Sequence, residues 1–483
     1  MSLRLRPGRG PTALLVAATA VVLRLPLLTG PSRPDEAGYL LVARTVRRGG
    51  PFLYGDLWVD RPPLLVLAFR LADATGGLAG VRLLGLLAAA VLAGAAADAG
   101  WTLAGRPGAA AAGVVAAALQ ASPLLSAPDV DGELLALPFV LCCIATGLRA
   151  TRAEVPQRQV LLLGSAGLLG STALMVKQNV VDGLVLLGLL LLVRAVRREL
   201  AARRAVLLLA STAAGAVVPL LGLALWAGWW GATPTEVYGA LVGFRSASLQ
   251  VIASQDLGAP TRRAVRLAEV AVLSGIGPLL LLPARRRPDR SLRIAVLLTA
   301  AVGLASIGLG GSYWAHYLLQ LLPAAALTAA LTARPLRGVG SRLAVALVVG
   351  SAVLAVAVQA VPARARDCGG QAARAAETAD WLRAHAARGD TGLTLFGAAD
   401  VLLDSGIEPA YPYLWSLPVR TLDPDLALLS ASLRGPAAAT WVVRTVPLES
   451  WGLDDGDRLS TELARGYRRV ATVCGQDVFH RKG

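Results

Sequence analysis

Charge is scarce in this sequence. Only 16% of its 483 residues are Asp, Glu, Lys or Arg, while 55% are hydrophobic and the mean hydropathy is +0.59. A soluble domain of this length carries more charge and fewer long apolar runs, so that class is excluded. A Gly-rich nucleotide loop, an internal repeat and any low-complexity tract beyond an alanine bias are all missing. The net charge is +16, yet there is no uniform basic face with interleaved aromatics, so nucleic acid is not the partner. The N-terminus, MSLRLRPGRG before an apolar run, has the start of a signal peptide but no small-residue cleavage site. It reads as a retained first helix.

What the chain has in abundance is apolar segments of about 17–25 residues, the length that crosses a bilayer. About eleven are expected: 11–30, 80–98, 108–126, 132–150, 159–176, 179–196, 205–229, 265–283, 291–310, 314–333 and 342–361. With the N-terminus and Arg4, Arg6 and Arg9 in the cytoplasm, the even-numbered loops are cytoplasmic too, and they carry Arg106; Arg152 and Arg158; Arg194, Arg197, Arg198, Arg203 and Arg204; Arg285, Arg286, Arg287, Arg290 and Arg293; and Arg334, Arg337 and Arg342. The short outer loops hold SAPDVDGE, KQN and GGSY, with Lys177 as their only basic residue. The first outer loop, 31–79, breaks the pattern with six arginines, but long loops obey the rule less well.

The expected fold is a polytopic α-helical membrane protein, residues 1–361, with a small extracytoplasmic α/β domain, 362–483. In the first outer loop, 37–48 and 62–75 read as helices along the membrane surface. In the tail, QAARAAETADWLRAHAARG reads as an amphipathic helix closed by Gly389. TGLTLFG and ATWVVRT read as strands, and YRRVATVCGQDVFHR as a terminal hairpin.

Ionisable residues beside apolar segments are costly, so their positions point to function. Here they collect at the outer face. Asp35 and Glu36 end the first span. Asp129, Asp131 and Glu133 fill the turn before the fourth, Lys177 and Gln178 the turn before the sixth, and His316 opens the tenth; Arg61 lies in the first outer loop. A carboxylate can take a proton from a hydroxyl, and Lys, Arg and His can neutralise a departing phosphate. Each also has a plainer reading: a solvated loop or N-cap for the acids, a snorkelling lysine, an interfacial histidine beside Trp314 and Tyr317.

The stretch LRLPLL…RPDEAGYLLVARTVRRGGPFLYGDLWVDRPPLL resembles the start of the GT-C glycosyltransferases. Within them it is similar to the bacterial membrane mannosyltransferase and aminoarabinose-transferase-like group, relatives of the protein O-mannosyltransferases. The matched features are the acid pair, Tyr39, the stretch Gly50–Tyr54 and Arg-Pro-Pro at 61–63, where the family often has Lys-Pro-Pro. MVKQN and YWAHYLLQLLPA resemble two further stretches of the bacterial members.

The resemblance implies a sugar donor on polyprenyl phosphate in the outer leaflet and a glycan, lipid or protein acceptor. Asp35 would be the general base, with inversion at the anomeric carbon, and Glu36 would assist. Arg61, Lys177 and His316 would face the donor phosphate; Tyr39, Tyr54, Asp129, Asp131, Glu133, Gln178 and Tyr317 are secondary candidates. No cofactor is assigned. Whether a divalent cation takes part is left open: the first loop has no D-x-D, but DVD stands at 129–131. A transporter or flippase of lipid-linked envelope precursors is the alternative, and a non-catalytic envelope scaffold a third reading.

Of four cysteines, Cys142 and Cys143 read as small apolar packers within the fourth span. Cys368 and Cys474 lie at the two ends of the outer tail, where thiols oxidise and domain termini are often close. A disulfide between them is expected, with two unpaired thiols as the alternative.

Overall fold

The structure, a computed structural model, describes residues 8–126, 129–254, 258–282, 290–333, 339–360, 368–454 and 456–483. Its first part is almost wholly helical: α1 (Arg9–Arg24), α2 (Pro34–Arg44), α3 (Pro63–Gly76), α4 (Leu78–Leu119), α5 (Gly132–Ala150), α6 (Pro156–Val176), α7 (Asp182–Val196) and α8 (Ala202–Trp230). These are followed by α9 (Pro234–Tyr238), α10 (Phe244–Ser254), α11 (Gly258–Leu273), α12 (Ile276–Leu280), α13 (Arg290–Leu309), α14 (Leu322–Thr332) and α15 (Val339–Ala360).

Among the described residues, seven helices are long and apolar enough to cross a membrane, and the chain is a multi-pass helical membrane protein. The expected number of eleven is not reached by this measure, for local reasons. The second and third expected spans run together in α4, whose backbone breaks only at Ala104 and Gly105, where Gly105 has φ +63°. The chain nevertheless reverses there. Gly85 and Gln120 both approach Arg24, whereas Asp98, between them in sequence, pairs with Arg9 at the other end of α1. The segment 265–283 is cut by Gly275 at φ +85°, and α7 has only 15 residues. Arginines 4, 6, 285–287, 334 and 337 of the charge argument, and the boundary near residue 361, lie outside the described residues.

Small residues set the packing. A Cβ on Gly215 would fall 1.8 Å from the carbonyl oxygen of Gly164, so α6 and α8 touch backbone to backbone. Close approach of this kind stabilises helix pairs in lipid, where burial of apolar surface gives no advantage. The outer side of α8 exposes Leu207, Leu221 and Leu225, an apolar surface suited to acyl chains.

α2 and α3 lie close to the expected surface helices, and both begin with proline at the first turn, where the missing N–H costs nothing. The C-terminal region contains α16 (Gln371–His385), β1 (Thr391–Leu395), α17 (Ala399–Ser405), β2 (Glu408–Pro409), α18 (Ser416–Leu422), α19 (Ala427–Ala431), β3 (Trp441–Arg444), α20 (Arg458–Gly466), β4 (Tyr467–Val473) and β5 (Gln476–Arg481). The sheet order is β2-β1-β3-β5-β4, parallel across β2, β1 and β3 and antiparallel beyond. The β4–β5 turn is Cys474-Gly475, both at positive φ as a two-residue hairpin requires. Cys474 is joined to Cys368 by a disulfide, with Cα atoms 5.3 Å apart.

This region sits on the segment between α1 and α4. The Trp58 amide donates to the Pro412 carbonyl at 3.1 Å, and the Ser32 amide to Asp404 Oδ2 at 3.1 Å. Tyr413 packs against Trp58 and Phe52.

Candidate functional site

The acid pair begins α2. Consecutive helical residues point about 100° apart, so the two carboxylates diverge. Glu36 turns inward and is wholly buried. It accepts from Arg82 at 3.3 Å, from the Val130 amide at 3.2 Å and from the Arg33 amide at 3.2 Å. Burial pushes its carboxyl up, and Arg82 and the amide bonds pull it back. Glu36 therefore ties the start of α2 to α4 and to the turn before α5, and its oxygens are committed. Asp35 is only partly buried, and its Oδ1 accepts from the indole N–H of Trp415 at 2.8 Å. Among the described residues its Oδ2 has no hydrogen-bond partner.

Next to it stands an arginine group. Arg61 Nε donates to the Tyr39 hydroxyl at 3.0 Å, and its NH1 to Asp60 Oδ1 at 2.6 Å. Tyr54 donates to the Arg61 carbonyl at 2.6 Å. Asp60 also pairs with Arg245, just beyond the π-helical turn that follows α9. Burial would push the Asp60 carboxyl up, but Arg245, Arg61 and Lys177 outweigh it and hold the group below its ordinary range. Gln178 braces the loop, donating to the Asp60 carbonyl at 2.8 Å and to the Leu241 carbonyl at 3.2 Å.

The third group forms where α5 begins. Asp131 caps the helix, accepting from the Leu134 amide at 2.9 Å. Glu133 pairs with Lys177, whose ammonium also lies 5.0 Å from the centre of the Tyr317 ring. His316 Nε2 is 3.9 Å from the same Glu133 oxygen. Burial pushes Asp131 up to about 6, helped by the charge of Glu133, and pushes Lys177 down, helped by Arg61. Ligand atoms of Asp131, Glu133 and His316 lie within 4.8 Å of one another. Two carboxylates and an imidazole suit zinc or manganese. Because Lys177 holds the same Glu133 oxygen, an ion there would compete with the ammonium.

The three groups share one electrostatic environment: the charges of Asp35 and Glu133 both act on Arg61 and on Tyr317. Of the expected residues, Asp35, Tyr39, Arg61, Asp131, Glu133, Lys177, Gln178, His316 and Tyr317 are brought together. Tyr54 holds the Arg61 backbone from behind. Asp129 stands at the rim, 3.8 Å from Arg33, and burial pushes its carboxyl up to about 8. Sequence reasoning missed Asp60, Arg245 and Trp415. Asp60 was visible inside VDRPP; Arg245 stands in VGFRSAS after the seventh expected span; Trp415 has no local signal.

No protein-family model matches the chain, and no curated protein matches it. Solved structures do. ArnT from Cupriavidus metallidurans, in a structure bound to undecaprenyl phosphate, is 16% identical with a TM-score of 0.65, over 96% of this chain and 97% of its own. The chain has the GT-C fold. The Archaeoglobus fulgidus oligosaccharyltransferase, tethered to an acceptor peptide, is 13% identical with a TM-score of 0.53, over 95% of this chain and 72% of its own.

Proposed function

We propose that this protein is an inverting membrane glycosyltransferase that moves a sugar from a polyprenyl-phosphate donor to an acceptor hydroxyl at the outer face of the cytoplasmic membrane. The observation that carries this reading is the position of Asp35. A carboxylate with one anchored and one open oxygen, whose charge reaches Arg61, stands on a GT-C scaffold; Asp60 joins Arg61 to Arg245, and Lys177 and His316 meet at Glu133 nearby. The undecaprenyl phosphate of the ArnT structure supports the lipid donor, and the positive-inside arginines support a cytoplasmic N-terminus. Division near residue 361 into a membrane catalytic part and an extracytoplasmic part belongs to the same proposal.

In the reaction, Asp35 Oδ2 takes the proton from the acceptor hydroxyl as its oxygen attacks the anomeric carbon. The bond from that carbon to the phosphate oxygen breaks, and the electron pair leaves with polyprenyl phosphate. Attack from the face opposite the leaving group inverts the configuration. Arg61 and Arg245 neutralise the growing phosphate charge, with Lys177 and His316 beside them. Glu36 holds the loop that presents Asp35. A metal ion, if bound, would be held by Asp131, Glu133 and His316 and would supply further positive charge.

A transporter or flippase would be expected to keep charge near mid-membrane. Here the three groups gather at one end of the helices, which supports the enzyme. The test uses purified protein in liposomes with radiolabelled polyprenyl-phosphate sugars. Sugar transfer with release of polyprenyl phosphate, lost in Asp35→Asn, is expected. Donor movement across the bilayer with no cleavage would overturn the proposal.

A further inference from the structure

We infer that Trp415, supplied by the C-terminal region, is a positioning residue for Asp35: its indole N–H fixes one carboxylate oxygen so that the other faces the acceptor. The inference rests on the reading of Asp35 as the base.

Nothing in α2 itself orients Asp35. The side-chain contact that closes the start of that helix is made by Glu36, which accepts from the Arg33 amide. Asp35 therefore needs an outside anchor to keep one rotamer, and Trp415 Nε1 supplies it at 2.8 Å. An indole N–H can only donate, so it holds an accepting oxygen and cannot take up the acceptor's proton itself. The ring is wedged in place: a Cβ at Gly38 would fall 2.3 Å from its Cζ2. Its centroid is 5.4 Å from that of Tyr39, whose hydroxyl accepts from Arg61. One indole thus touches both the carboxylate and the tyrosine that carries the arginine.

The backbone that delivers Trp415 is held on both sides. Residues before it bind the first outer loop through Pro412 and Tyr413, and Leu414 is buried. After it, α18 begins at Ser416. A chain that merely docked its tail on the loop would have no need of a polar contact to Asp35.

The test uses the full-length protein with two variants. Trp415→Phe keeps a ring and removes the N–H. Gly38→Ala keeps the N–H and pushes the ring away. The first measurement needs no substrate. Modification of Asp35 by a water-soluble carbodiimide, read by peptide mass spectrometry, should be roughly 3–10-fold faster in both variants, with Asp129 unchanged. The second is turnover of polyprenyl phosphates carrying radiolabelled mannose, glucose, arabinose or aminoarabinose. In both variants kcat should fall about 10-fold, with the donor KM within about 2-fold of the parent. In an Asp35→Ala background, Trp415→Phe should cost nothing more. Parent-like labelling of Asp35, or an equal loss from Trp415→Phe with Asp35 absent, would overturn the inference. Full turnover by Asp35→Ala would instead remove the base and the proposed mechanism with it.

Discussion

The two ends of the helical bundle both carry ion pairs, and they differ in water. At the end where α1 begins, Asp98 pairs with Arg9 and Arg149, whose side chains are 39% and 46% exposed. At the end beneath the C-terminal sheet, the partners are sealed: Glu36 with Arg82 at 0% and 7%, Glu133 with Lys177 at 6% and 7%. A pair in water costs little to form and contributes little, about 0–1 kcal/mol. A buried pair sets a desolvation penalty of several kcal/mol per ion against its own attraction, so it is weak evidence of a need for stability. Two such pairs crowded at one end, and none like them at the other among the described residues, point to chemistry at the sealed end.

The strongest way to break this contrast is at Asp35. Asp35→Asn keeps size and most of the Trp415 contact but removes the base, and turnover should fall roughly 10²–10⁴-fold with the fold intact. Transfer near the parental rate would leave the sealed end without a catalytic reading. Lys177→Ala comes next. It removes a cation proposed to face the donor phosphate and leaves Glu133 buried with less compensation. The donor KM should rise about 10-fold or more, and stability should fall by about 3 kcal/mol. His316→Ala should raise the donor KM less, since His316 stands 3.9 Å from Glu133 and forms no closer pair with it. A rise confined to the acceptor KM would contradict both assignments.

Much of the sealed end was legible because its residues sit at span boundaries, where charge has few other reasons to be. The acid pair, Arg61, Lys177 and His316 announced themselves in that way. The split between Asp35 and Glu36 was not legible as a difference in role, because it depends on which way α2 is turned. Helical rotation sends one acid under Arg82 and the other toward Trp415. Trp415 lies 380 residues from its partner, and no pattern in the sequence links them. The fold shows the same division. Long spans and the hairpin were readable from hydropathy and turn chemistry, while α17, α18, α19 and α20, of 5–9 residues, are too short for a helical period to show.

A smaller effect probes the cover of the sealed end. Asp400, in α17 against α2, is buried, and burial pushes its carboxyl up to about 6. A carboxyl raised above its unfolded value near 3.8 favours folding fully below that value and loses this contribution as pH rises through about 6. The parent should therefore lose about 1–3 kcal/mol from this group between pH 4 and pH 8. Asp400→Asn should flatten that part of the melting-temperature profile. An equally steep profile in the variant would show that the carboxyl is already ionised in the fold.

The smallest expected effect belongs to the open end, and it tests the contrast from the other side. Asp98 accepts from Arg9 and pairs with Arg149, and its own side chain is 12% exposed. Asp98→Asn takes away one negative charge but leaves an oxygen that can still accept from either guanidinium. Both arginines reach water and can be solvated there. The change should cost no more than about 1 kcal/mol, and donor turnover should stay at the parental level. High salt should shrink the difference further, because charges near water are screened. The same salt should barely alter the loss caused by Lys177→Ala, whose partner is sealed. A loss of 3 kcal/mol or more in Asp98→Asn, unaffected by salt, would mean that the open end is as dry as the other. The concentration of buried charge at one end would then no longer single out the site of reaction.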